Sequence, residues 1–248
     1  MRIRSGITAG MVKENGSPLS ELSFDQESFW LDGKRFRILA GAMHYFRIHP
    51  ADWEDRLLKL KAMGLNTVET YVPWNLHEPT PGEFRFDDGL DITAYIRLAA
   101  ELGLYVIARP GPYICSEWDL GGLPAWLLGD TGMRLRCYHE PYLAAVDRYF
   151  DALLPLLAPL QISQSGPILA MQVENEYGSY GNDKAYLQYL ADGMKGRGID
   201  ALLFTSDGFS DELLQYGSLP DVYKTVNFGS GIELAFGRLR KIQPDGPL

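Results

Sequence analysis

Two glutamates that lie two residues apart, Glu174 and Glu176, are the first residues of this sequence that suggest chemistry. They follow the apolar run "ILAMQV", which starts at Ile168 and is typical of a buried strand. If that strand continued through both glutamates, their side chains would share one face, about 6.5 to 7 Å apart. Paired carboxylates are the usual catalytic groups of glycoside hydrolysis.

Glu174 and Glu176 do not form such a pair with each other, because both would approach a substrate from one side. Glycoside hydrolysis requires one carboxyl group at the leaving oxygen and the other on the opposite face of the anomeric carbon. We therefore expect Glu176, at the tip of the strand, to be the acid/base. Glu174 is expected to make supporting hydrogen bonds one layer deeper.

Two further segments combine aromatic rings with carboxylates. They are "TYVPWNLHEPTPGEFRF" at 70–86 and "GPYICSEWDLGGLPAWL" at 111–127, and each follows a strand-like run. Aromatic faces stack on the C–H patches of sugars, while carboxylates accept hydrogen bonds from sugar hydroxyls. Together with Asn175 and Glu176, these segments predict a carbohydrate site.

The elements that must position these residues follow a repeating pattern of strands and helices. Six strand-like runs alternate with stretches of helical periodicity, which predicts an α/β fold with a parallel sheet. A short β-hairpin is predicted before them, because Asp32-Gly33 separates two apolar runs. The six runs occupy 37–46, 64–72, 103–112, 165–176, 198–208 and 219–229.

A closed barrel is favoured over an open sheet. The nearest candidate for a phosphate-binding glycine turn, "FGSGIELAFG", has Leu234 in place of the third glycine of GxGxxG. Almost every run ends in polar or aromatic residues, as in a (β/α)8 TIM barrel whose active site lies at the C-terminal mouth. These residues are His44, Tyr45, Tyr71, Trp74, Asn75, Arg109, Tyr113, Asn175, Glu176, Ser206, Asp207 and Asn227.

Six strands are fewer than the eight of a closed barrel. We expect residues 1–20 to be a loose lead-in. Residues 21–248 are expected to form a glycoside hydrolase barrel domain that is incomplete at its C-terminal end.

Composition excludes several other classes. A formal net charge of −9 disfavours nucleic acid, and no run of basic residues or long apolar span indicates a membrane partner. The four histidines lack metal-binding spacing, no GxSxG motif occurs, and the two cysteines are expected to be reduced thiols. We expect no cofactor, no metal and, without a signal-peptide pattern, a cytoplasmic location. Assembly into a homo-oligomer is left open.

The motifs "TYVPWNLHEP", "RPGPYICSEWDLGGLPAWL" and "QVENEYGSYG", followed by "LFTSDG" and "TVNFG", resemble glycoside hydrolase family 35, the β-galactosidases. The resemblance extends from about residue 23 to the last residue. It implies a (β/α)8 barrel that removes terminal non-reducing β-D-galactosyl residues with retention and without a cofactor.

The resemblance also implies roles for individual residues. Glu176 would be the acid/base, and Asn175 would contact the sugar 2-hydroxyl. The galactose site would be lined by Tyr71, Cys115, Ser116, Glu117 and Asn175, although Ser116 stands where family members often have alanine.

The resemblance places the nucleophilic glutamate a few residues after "KIQPDGPL", beyond Leu248. Residues 1–248 alone are therefore expected to be inactive. Two alternatives remain open: a galactoside-binding pseudoenzyme without catalysis, and a related exo-β-glycosidase such as an exo-β-glucosaminidase.

Overall fold

A small antiparallel sheet opens the part of the chain that the computed structural model describes, residues 20–247. Its strands are β1 (Leu22–Phe24), β2 (Phe29–Leu31) and β3 (Lys34–Phe36), in the order β1-β2-β3. The predicted hairpin is confirmed, because β2 and β3 are joined by Asp32 and Gly33, whose φ angles of 51° and 74° suit a type I′ turn. Strand β1 extends the hairpin to three strands. The predicted lead-in lies outside the described residues, except for Ser20.

Six parallel strands form the main sheet, as predicted. Their spatial order follows the chain, β4-β5-β6-β7-β8-β9, and every neighbouring pair is parallel. A sheet with this order and with helical crossovers is that of a (β/α) barrel with six of its eight strands. The strands are β4 (Ala40–Ala42), β5 (Thr67–Tyr71), β6 (Tyr105–Arg109), β7 (Ile168–Gln172), β8 (Leu202–Gly208) and β9 (Tyr223–Asn227).

Helices connect the strands and cover the outside of the sheet. Several begin where a side chain accepts a hydrogen bond from the first turn: Asp91 from the Ala94 N–H and Asp183 from the Tyr186 N–H. No helix within residues 20–247 is long and apolar enough to cross a membrane. The helices are α1 (Trp53–Ala62), α2 (Trp74–His77), α3 (Ile92–Glu101), α4 (Glu140–Leu157), α5 (Lys184–Gly196), α6 (Asp211–Gly217) and α7 (Ile232–Ile242).

The small sheet closes the end of the barrel at which the strands begin. Phe36 packs edge-to-face on Tyr105 at the start of β6, with ring centroids 5.2 Å apart. Phe24 packs in the same way on Tyr223 at the start of β9, at 5.0 Å. The opposite end, where the strands finish, is therefore the mouth that can receive a substrate.

Two residues expected at the mouth lie in the core instead. Tyr45 is fully buried and its hydroxyl bonds to the Nε2 atom of His77. Trp74 is also fully buried and stacks on Tyr149 of α4, with centroids 4.9 Å apart. Both follow a strand on a short helical turn, and such a turn directs some side chains inward even though the backbone has left the strand.

Candidate active site

Side chains from neighbouring strand ends meet at the mouth and are joined by hydrogen bonds. Tyr71 ends β5, and its hydroxyl donates to the Oδ1 atom of Asn175 at 3.3 Å. Arg109 ends β6, and its Nη2 donates to the same oxygen at 2.9 Å. Asn227 ends β9, and its Nδ2 donates to the Oε1 atom of Glu176 at 2.8 Å. The structure thus brings Tyr71, Asn175 and Glu176 into one cluster.

Glu174 and Glu176 are not alternating residues of a strand, so that premise of the sequence analysis is wrong. Strand β7 ends at Gln172, and both glutamates have left-handed backbones, with φ of 58° and 47°. This conformation costs a non-glycine residue roughly 1–2 kcal/mol. The two side chains consequently enter different surroundings: Glu174 is buried, whereas Glu176 is half-buried.

Glu174 makes the supporting hydrogen bonds that were predicted for it. Its two carboxylate oxygens accept from Nε and Nη2 of Arg136 at 2.9 and 2.8 Å. The Tyr186 hydroxyl donates to Oε1 at 2.9 Å, and the Asn175 N–H donates to Oε2 at 2.6 Å. The carboxylate is thus fully occupied by structural partners.

The side-chain amide of Asn175 has a single orientation. Its Oδ1 accepts from Tyr71, Arg109 and the Nε2 atom of Gln172, and a guanidinium can only donate. The Nδ2 atom of Asn175 makes no hydrogen bond within residues 20–247. In those residues every fully buried side-chain nitrogen or oxygen has a partner, so Nδ2 is not fully buried. Asn175 therefore presents N–H donors toward the mouth.

Glu176 is held at its backbone and at one carboxylate oxygen. Its N–H donates to the Ser206 carbonyl of β8 at 3.1 Å. Ser206 Oγ also donates to the Oδ1 atom of Asn227 at 2.8 Å, which turns the Asn227 amide so that its NH2 faces Glu176. The second oxygen of the Glu176 carboxylate has no partner within residues 20–247. A carboxyl group held in this way can transfer a proton to a bound ligand.

The loop after β6 contains three consecutive left-handed residues: Cys115, Ser116 and Glu117, with φ of 58°, 57° and 45°. The Arg47 guanidinium donates to the carbonyls of Ser116 and Glu117 and lies 5.3 Å from the centre of the Trp118 ring. Cys115 is half-buried, Ser116 is buried and Glu117 is exposed. Both cysteines are free thiols, as expected.

Electrostatic effects link this loop to the cluster. Burial, assisted by the charges of Glu69, Glu176 and Cys115 and opposed by Arg109, raises the pKa of Tyr71 to about 12. No hydrogen bond joins the side chains of Ser116 and Glu117 to Tyr71, Asn175 or Glu176 within the described part of the chain.

Burial also shifts the pKa of two other groups near the strand ends. It lowers the pKa of His44 to about 4, with Arg47 and Arg109 contributing, so that the imidazole is neutral near pH 7. It raises the pKa of Asp207 to about 7. No group of three histidine, cysteine or acidic side chains in residues 20–247 could hold a metal ion.

Sequence reasoning missed two residues that organise the cluster. Arg136 belongs to the long loop before α4, and Gln172 is the last residue of β7. A buried Glu174 requires a cation nearby, but nothing in the sequence identifies which arginine supplies it. Gln172 lies inside an apolar run, where a polar residue indicates a buried hydrogen-bonding role.

Comparisons with known proteins agree with this geometry. Residues 28–248 match the protein family described as glycosyl hydrolases family 35. The chain is 50% identical over 232 residues to the beta-galactosidase of Mus musculus, covering 92% of this chain and 36% of that protein. It is 54% identical over 207 residues to beta-galactosidase-1-like protein 2 of Homo sapiens, covering 84% and 32% respectively. The chain thus spans about a third of the length of these relatives.

Solved structures agree on the fold. The beta-galactosidase from the psychrophilic Marinomonas ef1 aligns with a TM-score of 0.57 at 12% identity, covering 77% of this chain and 40% of that one. GH5_18 from Streptomyces cattleya in complex with GlcNAc aligns with a TM-score of 0.55 at 17% identity, covering 72% and 49%. At these identities the likeness concerns the barrel alone. The family match over residues 28–248 is much more specific, and the chain belongs to glycosyl hydrolase family 35.

Proposed function

We propose that these residues form the acid/base half of a retaining β-galactosidase, which removes terminal non-reducing β-D-galactosyl residues. The observation that carries the proposal is the cluster at the end of β7. There the Asn227 amide holds one oxygen of Glu176, and Asn175 turns its N–H donors toward the same mouth. The two named beta-galactosidase relatives support the choice of sugar.

In the proposed reaction, the protonated Glu176 carboxyl donates its proton to the glycosidic oxygen as the bond to the anomeric carbon breaks and the opposed nucleophile forms a bond to that carbon. Glu176 is then a carboxylate and removes a proton from the water that releases the sugar. The Asn175 amide donates a hydrogen bond to the sugar 2-hydroxyl. Tyr71 and the loop residues Cys115, Ser116 and Glu117 line the galactose pocket. The proposed reaction needs no cofactor.

The opposed nucleophile is proposed to lie beyond Leu248. Three buried or half-buried carboxylates of this part of the chain have other partners: Glu69 pairs with Arg109, Glu174 pairs with Arg136, and Asp207 accepts from the Gly178 N–H. Glu117 remains exposed on its loop, and the sequence resemblance assigns it to sugar binding.

The acid/base role is tested by Glu176→Gln in the full-length protein. Glutamine has nearly the same shape and cannot donate a carboxyl proton. We expect turnover of galactosides with poor leaving groups to fall about 10²- to 10⁴-fold. Aryl galactosides with activated leaving groups need little protonation and should lose far less. Equal slowing of both substrate classes would count against the role of Glu176.

A second pair of measurements separates the alternatives. NMR of the first product should show the β-anomer of galactose, as retention requires. The exposed Glu101→Gln variant is a matched control and should leave turnover unchanged. Galactose binding without turnover would instead support a binding pseudoenzyme, and faster hydrolysis of β-glucosaminides would support an exo-β-glucosaminidase. The cytoplasmic location and self-association stay predictions.

A further inference from the structure

Arg136 is enclosed among aromatic rings although it comes from a loop. Arg136 is only 6% exposed. Its guanidinium carbon lies 3.7 Å from the ring centre of Tyr113 and 4.3 Å from that of Tyr180. The Tyr177 hydroxyl donates to the Arg136 carbonyl at 3.0 Å. The arginine is therefore held from several sides, and its head group cannot move without displacing these rings.

The guanidinium and its partner Glu174 hold both backbone polar groups of Asn175. Arg136 Nη2 donates to the Asn175 carbonyl at 2.7 Å. The Glu174 carboxylate, which receives two hydrogen bonds from the same guanidinium, accepts from the Asn175 N–H at 2.6 Å. The two peptides on either side of Asn175 are thus fixed by one buried ion pair.

Such a clamp is needed because the segment is strained. Glu174 and Glu176 are both left-handed, a conformation that persists in non-glycine residues only where the surroundings impose it. Burial opposes the charge on Arg136, but Glu174 outweighs it and raises the pKa of the guanidinium. The guanidinium therefore stays charged and keeps all its N–H groups as donors.

We propose that Arg136 is a positioning residue for the acid/base. It bonds to neither Glu176 nor the sugar-facing Nδ2 of Asn175. It fixes the left-handed backbones of Glu174 and Glu176, so that the Glu176 carboxyl and the Asn175 amide both face the bound sugar. The proposal rests on the function proposed above for Glu176.

The primary variant is Arg136→Lys, which keeps the charge but cannot donate at once to two carboxylate oxygens and a carbonyl in this planar geometry. We expect kcat for galactosides with poor leaving groups to fall about 10²-fold, with little change in KM, because displacement of a catalytic group by about 1 Å has an effect of that size. Activated aryl galactosides should be much less affected. A loss of folded protein would lower turnover of both classes equally.

The second variant is Arg136→Gly, in which glycine accepts the φ of 51° that Arg136 has. Guanidinium added at millimolar concentration should raise the kcat of this variant at least tenfold for galactosides with poor leaving groups. The control is Arg134→Lys, two residues away in the same loop and exposed, which should behave as the unaltered protein. Failure of rescue together with equal slowing of both substrate classes would overturn the proposal.

Two further comparisons keep this proposal separate from the proposed function. If Glu176→Gln shows leaving-group selectivity and Arg136→Lys does not, only the positioning role fails. A crystal structure of Arg136→Lys tests the clamp without any activity measurement. Glu174 and Glu176 should leave the left-handed region, and an unchanged backbone there would refute the proposal.

Discussion

Asp207 offers a test in which the sign and size of a stability effect follow from the structure. It lies on β8, is 2% exposed, and its Oδ1 accepts from the Gly178 N–H at 2.8 Å. Burial is the main cause that raises its pKa from 3.8 to about 7, and Glu174 and Glu176 act in the same direction. The backbone donor at Gly178 and the ammonium of Lys184 oppose the rise.

The raised pKa means that the folded state holds a proton on Asp207 which the unfolded state has released. Stability is therefore greatest, as far as this group is concerned, below about pH 4, and it falls as the pH rises to about 7. The difference between 3.8 and about 7 corresponds to roughly 4 kcal/mol at 1.36 kcal/mol per pH unit. Above pH 7 the full cost of ionising a buried carboxyl is present.

The perturbation is Asp207→Asn, which keeps an oxygen to accept from Gly178 and has no charge to bury. We expect the variant to unfold at nearly the same urea concentration as the unaltered protein at pH 4. At pH 8 it should be more stable by up to about 4 kcal/mol. Asp192→Asn, an exposed position on α5, is the control. A stability difference that stays constant from pH 4 to pH 8 would refute the reasoning.

Four other expectations can be checked directly. Gly217→Ala would place a Cβ 1.9 Å from the Oδ1 atom of Asp207, and we expect a loss of about 3 kcal/mol in a urea melt because neither group has room to move. Trp74→Ala removes the fully buried ring that stacks on Tyr149 and should cost about 3–5 kcal/mol by the same measurement. Chelation by EDTA should leave β-galactosidase turnover of the full-length protein unchanged, and recovery of lost activity by added metal would contradict this. Residues 1–248 expressed alone should not hydrolyse aryl β-galactosides and should self-associate in sedimentation experiments. The reason is that β4 and β9 end the sheet formed by residues 20–247 and each presents an edge; a monomer with a cooperative melt would contradict the structural half.

Local patterns predicted the framework of the barrel well. The six apolar runs correspond to the six parallel strands, and the Asp32-Gly33 turn joins two strands as expected. These features depend on neighbouring residues, through the periodicity of buried positions and the φ angles that a turn demands. Strand β1 was missed because the segment "DQES" that joins it to β2 has no turn signal of the Asp-Gly kind.

The candidate site was predicted less completely. Motif resemblance pointed to Tyr71, Asn175 and Glu176, and the structure joins them in one cluster. The prediction that Tyr45 and Trp74 reach the mouth was wrong, because order along the chain does not show which way a short helical turn faces.

The sequence by itself therefore determined the class of fold, the family and the segments that line the mouth, because each depends on patterns within short stretches or on long specific motifs. Only the tertiary structure decided the surroundings of each carboxylate. Glu174 and Glu176 are two residues apart, yet one is paired with Arg136 from a distant loop and the other is held by Asn227 of β9. The physical reason is that two left-handed residues redirect the chain after β7, and contacts across 38 and 51 residues of sequence stabilise that course.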